Sequence, residues 1–344
     1  MNDFFVKDNG IKLPNNIEKY LKSVLSNTAI GTNYWDPPPP SEISLKQIGR
    51  IILQVHQILD IAKSFNINLN NKSFIDLGTG NGMIPRLMLE VSKLSKALGT
   101  DPFLDGEHST SWQKHSHVQT IDKLKNFLSK LTDNNLSFEH YSQLTNQENV
   151  SFIPQDIIIN KGSGKNYFFK QIGIHEIHKI NEKFDFIYCK AIEHINNWDK
   201  AFSSVSEISN NGSIFYLKHR SFFSYLGPHR YGSIGIPWGH LLLNKSEYVR
   251  YVEENFDFRS KKMIDFFFND LTFPRMSVSD MIKIGNKNGF ILKGIKIEPT
   301  KYNKITSNFV NDVVNFWDLV KKNFPHVSSE EIFSGIYHVV FEKN

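Results

Sequence analysis

The sequence predicts an α/β protein built on a parallel sheet with helices covering both faces. Three observations carry this. From Ser73 onward, short β-branched and aromatic runs alternate with stretches of helical periodicity. The first of those runs ends in a turn holding three glycines, Gly78, Gly80 and Gly82, and a helical pattern follows at once. The chain has 344 residues, enough for one large α/β domain with insertions or for two small ones.

Taken in order, the elements begin with two amphipathic helices. Ile17, Tyr20, Leu21, Val24 and Leu25 share one face of the first. Leu45, Ile48, Ile52, Val55, Leu59 and Ala62 share one face of the second, opened by Ser44 and Gln47 as a capping box. Pro37 to Pro40 form a stiff linker between them. Residues 1–70 therefore read as a helical extension docked on the α/β core. A strand at Phe74–Leu77 leads through the glycine turn to a helix that turns Ile84, Leu87, Met88, Val91 and Leu94 inward, with Pro85 harmless in its first turn. Ala97–Thr100 reads as a strand ending at Asp101, Val118–Leu131 as a helix and Val150–Ile153 as a short strand. Phe184–Cys189 is a clear strand, Trp198–Ile208 a helix and Ser213–Leu217 a further strand. Residues 219–275 break the rhythm with aromatic residues, His, Arg, Gly and Pro. It resumes with a helix at Ser279–Asn288, a strand at Phe290–Ile297, helical pattern from Phe309 to Lys322 and an alternating strand at Gly335–Phe341. Four regions result: an extension (1–70), a core (71–218), an insertion (219–275) and a C-terminal completion of the sheet (276–344).

Composition sets limits. Hydrophobic residues make up 40%, enough for a full core, and the net charge of +5 is dispersed, without the basic stripe of a dedicated nucleic-acid binder. A single cysteine, Cys189, rules out an internal disulfide and a cysteine-cluster zinc site. The start, Met1 to Asp8, lacks a basic segment leading into an apolar run, and no apolar stretch approaches the ~20 residues that span a bilayer. The expectation is a cytoplasmic protein with no membrane association. His175 and His178 have ligand-like spacing but no accompanying carboxylate and histidine set, so no metal is expected.

The glycine turn brings backbone close to a ligand, and the helix start behind it offers free N–H groups and a partial positive charge. A dinucleotide fingerprint needs its third glycine where this sequence has Met83; here the third glycine is Gly82. Asp101, about twenty residues past the turn, can accept both hydroxyls of a ribose. Asp76-Leu77-Gly78-Thr79-Gly80-Asn81-Gly82 resembles the first motif of the class I (Rossmann-like) SAM-dependent methyltransferases. Phe184-Asp185-Phe186-Ile187, followed by Glu193-His194-Ile195, resembles that family's fourth strand and the turn after it. Asn211-Gly212 and Asn288-Gly289-Phe290 resemble the entries to its fifth and sixth strands.

The resemblance implies a doubly wound, mostly parallel seven-stranded sheet with the last strand antiparallel, and S-adenosyl-L-methionine as cofactor. It places the donor against Asp76, Gly78, Thr79, Gly80, Asn81, Gly82 and Asp101, with Lys190 and Ala191 lining its methionine half. The stretch between Asp101 and Phe184 is longer than usual for the family. Asp156 is the expected adenine contact, with Glu176 as competitor.

The acceptor falls to the insertion, which begins beyond the carboxyl end of the Ser213–Leu217 strand, where ligands of open α/β sheets bind. His229 and His240 are the first candidates for a general base, with His219 and His194 also in reach. Arg220 and Arg230 suit an anionic group, and Tyr231, Trp238 and the more distant Trp35 suit an apolar or sugar face. The expected reaction is methylation, by preference at oxygen, of a polar small molecule, neutral or anionic. Methylation of RNA or protein and a non-catalytic donor-binding regulator are the alternatives. The N-terminal helices are expected to act as a lid or to pair two copies as a homodimer.

Overall fold

In the computed structural model, residues 3–15, 45–80, 82–102, 167–190, 192–225, 227, 232–256, 259–270, 274–299 and 303–344 are described. The helices expected at Ile17–Leu25 and Val118–Leu131 and the strand expected at Val150–Ile153 lie outside them, as does the proline run.

The centre is a seven-stranded sheet. Its strands in chain order are β3 (Ser73–Leu77), β4 (Lys96–Asp101), β5 (Tyr167–Gln171), β6 (Phe184–Cys189), β7 (Ser209–His219), β8 (Phe290–Pro299) and β9 (Ser334–Lys343). They lie side by side as β5-β4-β3-β6-β7-β9-β8. The first five positions run parallel, and β9 pairs antiparallel with both β7 and β8. This is the doubly wound sheet with an antiparallel last strand that the sequence predicts. All five residues of β3 are buried, as a central parallel strand covered on both faces requires. One face packs Val55, Ile58 and Ile61 of α1 (Leu45–Ser64) and Leu87 and Met88 of α2 (Met83–Val91) onto Phe74, Tyr188 and Tyr216. The other packs Trp198, Ala201, Phe202 and Val205 of α3 (Trp198–Glu207) and Met281 of the later helix Val278–Lys287 onto Ile75, Ile187, Phe215 and Phe341. The Asn197 side chain caps α3 by accepting from Lys200 N–H at 3.1 Å.

Two features differ from the sequence reading. The chain opens on a hairpin, β1 (Phe4–Val6) with β2 (Lys12–Pro14), turned at Gly10 with φ 83°. The insertion also has an apolar core of its own. Helices α4 (Gly239–Leu242), α5 (Lys245–Asn255) and α6 (Ser260–Asp265) gather Phe222, Trp238, Tyr248 and Tyr251. After α7 (Val278–Lys287), the helices α8 (Asn303–Asp312), α9 (Phe316–Asn323) and α10 (Ser329–Phe333) add Phe309, Phe316 and Ile332 to that core. The helical pattern from Phe309 to Lys322 thus resolves into two helices, broken where Asn315 takes φ 60°. Among the described residues, no helix is long and apolar enough to cross a membrane.

Candidate active site

The carboxyl ends of β3, β4, β6 and β7 meet along one edge of the sheet. At β3, Gly78, Gly80 and Gly82 hold φ of 75°, 61° and 71°, left-handed conformations that favour glycine. Gly78 N–H and Thr79 N–H donate to the Thr100 carbonyl at 2.8 and 2.9 Å, and Gly80 N–H donates to Asp101 Oδ2 at 2.9 Å. Thr79 Oγ1 donates to Asp76 Oδ2 at 2.7 Å. Burial is the main cause that pushes the Asp76 carboxyl up to about 7, and the neighbouring charge of Asp101 adds to it. A Cβ added at Gly80 would meet no atom of the described residues within 4 Å. Among the described residues, no side chain caps the start of α2 behind it. This cradle fits the amino-acid half of S-adenosylmethionine: the amides of Gly78, Thr79 and Gly80 are donated within the site and hold its shape, and the uncapped start of α2 is what meets a carboxylate. Asn81 lies outside the described residues.

Asp101 ends β4, buried, and is in register with Gln171 at the end of β5. Gln171 Nε2 donates to the Pro102 carbonyl at 3.1 Å, which places a polar side chain beside the expected ribose position. Sequence reasoning does not single out Gln171; the run Tyr167-Phe168-Phe169 before it is the available signal. Glu176 is exposed and paired with Lys179, whose ammonium lowers its pKa, while Asp156 lies outside the described residues.

Past β6, Lys190 stands exposed, and Ala191 is outside the described residues. Trp198 Nε1 donates to the Ile192 carbonyl at 3.0 Å and so pins the short turn that carries Glu193 and His194. Glu193 Oε2 is buried with no hydrogen-bond partner among the described residues, and burial raises its pKa. The same indole meets His219, the last residue of β7, edge-on, with ring centroids 5.5 Å apart. His219 is 1% exposed, neither ring nitrogen has a hydrogen-bond partner among the described residues, and burial pulls its pKa down to about 3. Arg220 follows, half-buried.

Trp238 and His240 take a different place from the one expected. Both are buried in the apolar core of the insertion. His240 Nε2 donates to the Phe222 carbonyl at 2.8 Å, its ring meets Phe222 edge-on, and burial lowers its pKa to about 3. Trp238 Nε1 donates to the Ile332 carbonyl at 3.2 Å among Tyr225, Phe316 and Phe333. The reason is that the insertion is large enough to need a core, and turn-forming sequence does not tell which way its aromatic residues face. Trp35, His229, Arg230 and Tyr231 lie outside the described residues. His175 and His178 are engaged separately, with the Asn196 carbonyl and with Ser204 Oγ.

No curated protein sequence matches the chain. Among solved structures, a magnesium protoporphyrin IX methyltransferase from Synechocystis PCC 6803 with bound SAH is 11% identical, over 89% of this chain and 90% of that one, with a TM-score of 0.44. An S-adenosylmethionine dependent methyltransferase from Mesorhizobium loti is 12% identical, over 83% of this chain and 96% of that one, with a TM-score of 0.41. A family described as a methyltransferase domain matches residues 50–262. That match spans more than half of the sequence, and the chain belongs to this family as a SAM-dependent methyltransferase of the class I fold.

Proposed function

We propose that the enzyme methylates an oxygen of a polar small molecule, neutral or anionic, held over the carboxyl ends of β6 and β7, with a histidine as general base. The observation that supports this reading is His219. A buried imidazole with neither nitrogen partnered among the described residues leaves desolvated polar groups that cost stability, about 1–3 kcal/mol each. Such a cost is expected where a ligand completes the hydrogen bonds. His219 lies two strands from β3, roughly 10 Å across the sheet, a distance that a donor and an acceptor can share.

Bound S-adenosylmethionine supplies a methyl group already activated by the sulfonium charge. What remains for the protein is alignment of the two reactants, worth ~7–11 kcal/mol in ideal cases, and removal of the hydroxyl proton. Burial keeps His219 in the neutral form that accepts a proton, and an anionic acceptor beside the ring raises its pKa toward the working range. In this reading His194 on the adjoining turn and Arg220 after β7 orient the acceptor. His229, in the same inserted segment, is the second candidate for the base. His240 is the less favoured one, since its Nε2–H is committed to Phe222.

The test is a transfer assay with methyl-labelled S-adenosylmethionine on the small-molecule, RNA and protein fractions of a cell extract. Label is expected in the small-molecule fraction as a stable ether, and His219→Asn is expected to lower kcat by about 10²-fold or more with SAH binding kept. Label confined to RNA or protein, or full turnover by His219→Asn, would sink the corresponding part of the proposal. SAH binding with no transfer to any fraction would point to the regulatory reading.

A further inference from the structure

Lys218, one residue before His219, faces the opposite side of the sheet, toward α1. Its ammonium donates to Gln57 Oε1 on α1. Gln57 Nε2 then donates to Glu298 Oε1 on β8 at 3.1 Å, and His338 Nε2 on β9 donates to the same oxygen at 2.8 Å. Tyr216 OH on β7 donates to His338 Nδ1 at 2.5 Å, with the two rings stacked. Five side chains from four elements thus form one connected chain under α1.

The order of that chain is informative. If Lys218 served only to tie α1 down, Glu298 could pair with it directly. Instead the carboxylate is taken by His338 and Gln57, and a neutral amide meets the ammonium. The charge is therefore oriented but not neutralised, and two of its three donors have no partner among the described residues. Nearby charge adds to the imbalance. Burial first, and then the positive charges of Lys190 and Arg220, pull Lys218 down to about 8, against the opposing charges of Glu298 and Glu193. Arg220 makes no hydrogen bond or ion pair among the described residues. Lys190 directly follows β6, and Lys218 and Arg220 flank the last residue of β7, so three cations stand at the carboxyl ends of β6 and β7, where an open α/β sheet receives its ligand.

We infer that Lys218, with Arg220 beside it, receives an oxyanion of the methyl acceptor, carboxylate or phosphate, and that Gln57, Glu298, His338 and Tyr216 are its positioning residues. The inference rests on the reading of this edge as the acceptor site. It assigns the acceptor a chemical class, an anion, and makes Lys218 the residue that selects for it.

The experiment is calorimetric titration of the full-length protein with inorganic phosphate and with acetate, each run with and without SAH so that the two readings are judged apart. Wild type is expected to bind one of the two anions. Lys218→Met should weaken that binding by about tenfold or more, Lys218→Arg should restore most of it, and SAH affinity should stay within about twofold in both. Gln57→Leu, which keeps the cation but frees it, is expected to fall between. Phosphate binding alone identifies a phosphate-bearing acceptor, and acetate binding alone a carboxylic acid. If wild type binds neither anion, or Lys218→Met binds as wild type does, the inference is overturned. Absence of SAH binding to wild type overturns the donor reading instead, whatever the anions do.

Discussion

At Gly80 the backbone holds φ at 61° and an added Cβ would meet no atom of the described residues within 4 Å. A β-branched residue there pays the left-handed penalty, roughly 1–2 kcal/mol, and fills the room in front of the turn. Gly80→Val is therefore expected to weaken SAH binding by about tenfold or more, read by calorimetry, while the chain stays folded. Gly239 makes the opposite case. A Cβ there would stand 2.5 Å from Ile234 Cδ1, inside the core of the insertion. Gly239→Ala should lose about 1–3 kcal/mol in urea denaturation and leave SAH affinity unchanged. If the two variants showed the same signature, the separation of donor cradle from inserted core would be wrong.

Among the elements, the N-terminal hairpin is bound to α5 by a buried ion pair. Lys7 Nζ lies 2.6 Å from Glu247 Oε2, with the two side chains 7% and 2% exposed, and Asp8 N–H donates to Glu247 Oε1 at 2.9 Å. Tyr251 OH adds a 2.6 Å hydrogen bond to Asn15 Oδ1, and Phe5 packs edge-on against Tyr251. Glu247→Ala strands the lysine charge in the interior and is expected to cost about 3–5 kcal/mol in denaturation, whereas the double change Lys7→Met with Glu247→Leu should recover most of it. A double variant as unstable as the single one would mean that the contact holds by something other than charge. This hairpin is hard to read from sequence, since strands of three residues carry too little alternation to register. Its only signal is Asp8-Asn9-Gly10 between two short apolar runs. The core strands are legible because each is long, apolar and followed by a turn or a helix of the expected period. Gly78 to Gly82 and Asp101 are legible for a related reason: their conformation and spacing are local. The setting of Lys218 is not, because Gln57, which meets its ammonium, and Glu298 and His338, which hold Gln57 in turn, come from distant parts of the chain. Trp238 and His240 are misplaced by sequence because composition marks a segment as aromatic without marking the side it buries.

For the molecule as a whole, three buried groups with opposite tendencies shape the response of the donor-free protein to pH. Asp76 has its pKa raised to about 7, so between its unfolded value of 3.8 and 7 the folded state holds the extra proton, and stability falls as pH rises. His219 and His240 have theirs lowered from 6.5 to about 3, so between those values the unfolded state holds the extra protons, and stability falls as pH drops. Where the ranges overlap, two histidine protons outweigh one aspartate proton. The balance, about one proton, is worth roughly 1.4 kcal/mol per pH unit in favour of higher pH. Other carboxylates add their own slopes, so the clean measurement is a difference. His219→Leu removes one of the two histidine contributions and strands no partner among the described residues, because neither ring nitrogen has one there. Urea denaturation of wild type and His219→Leu should give a stability gap that moves in favour of the variant by roughly 1.4 kcal/mol per unit as pH falls from about 6 to about 4. A gap that stays constant over that range would mean that His219 is charged or solvated in the folded protein. The neutral, dry imidazole on which the proposed acceptor site depends would then be absent.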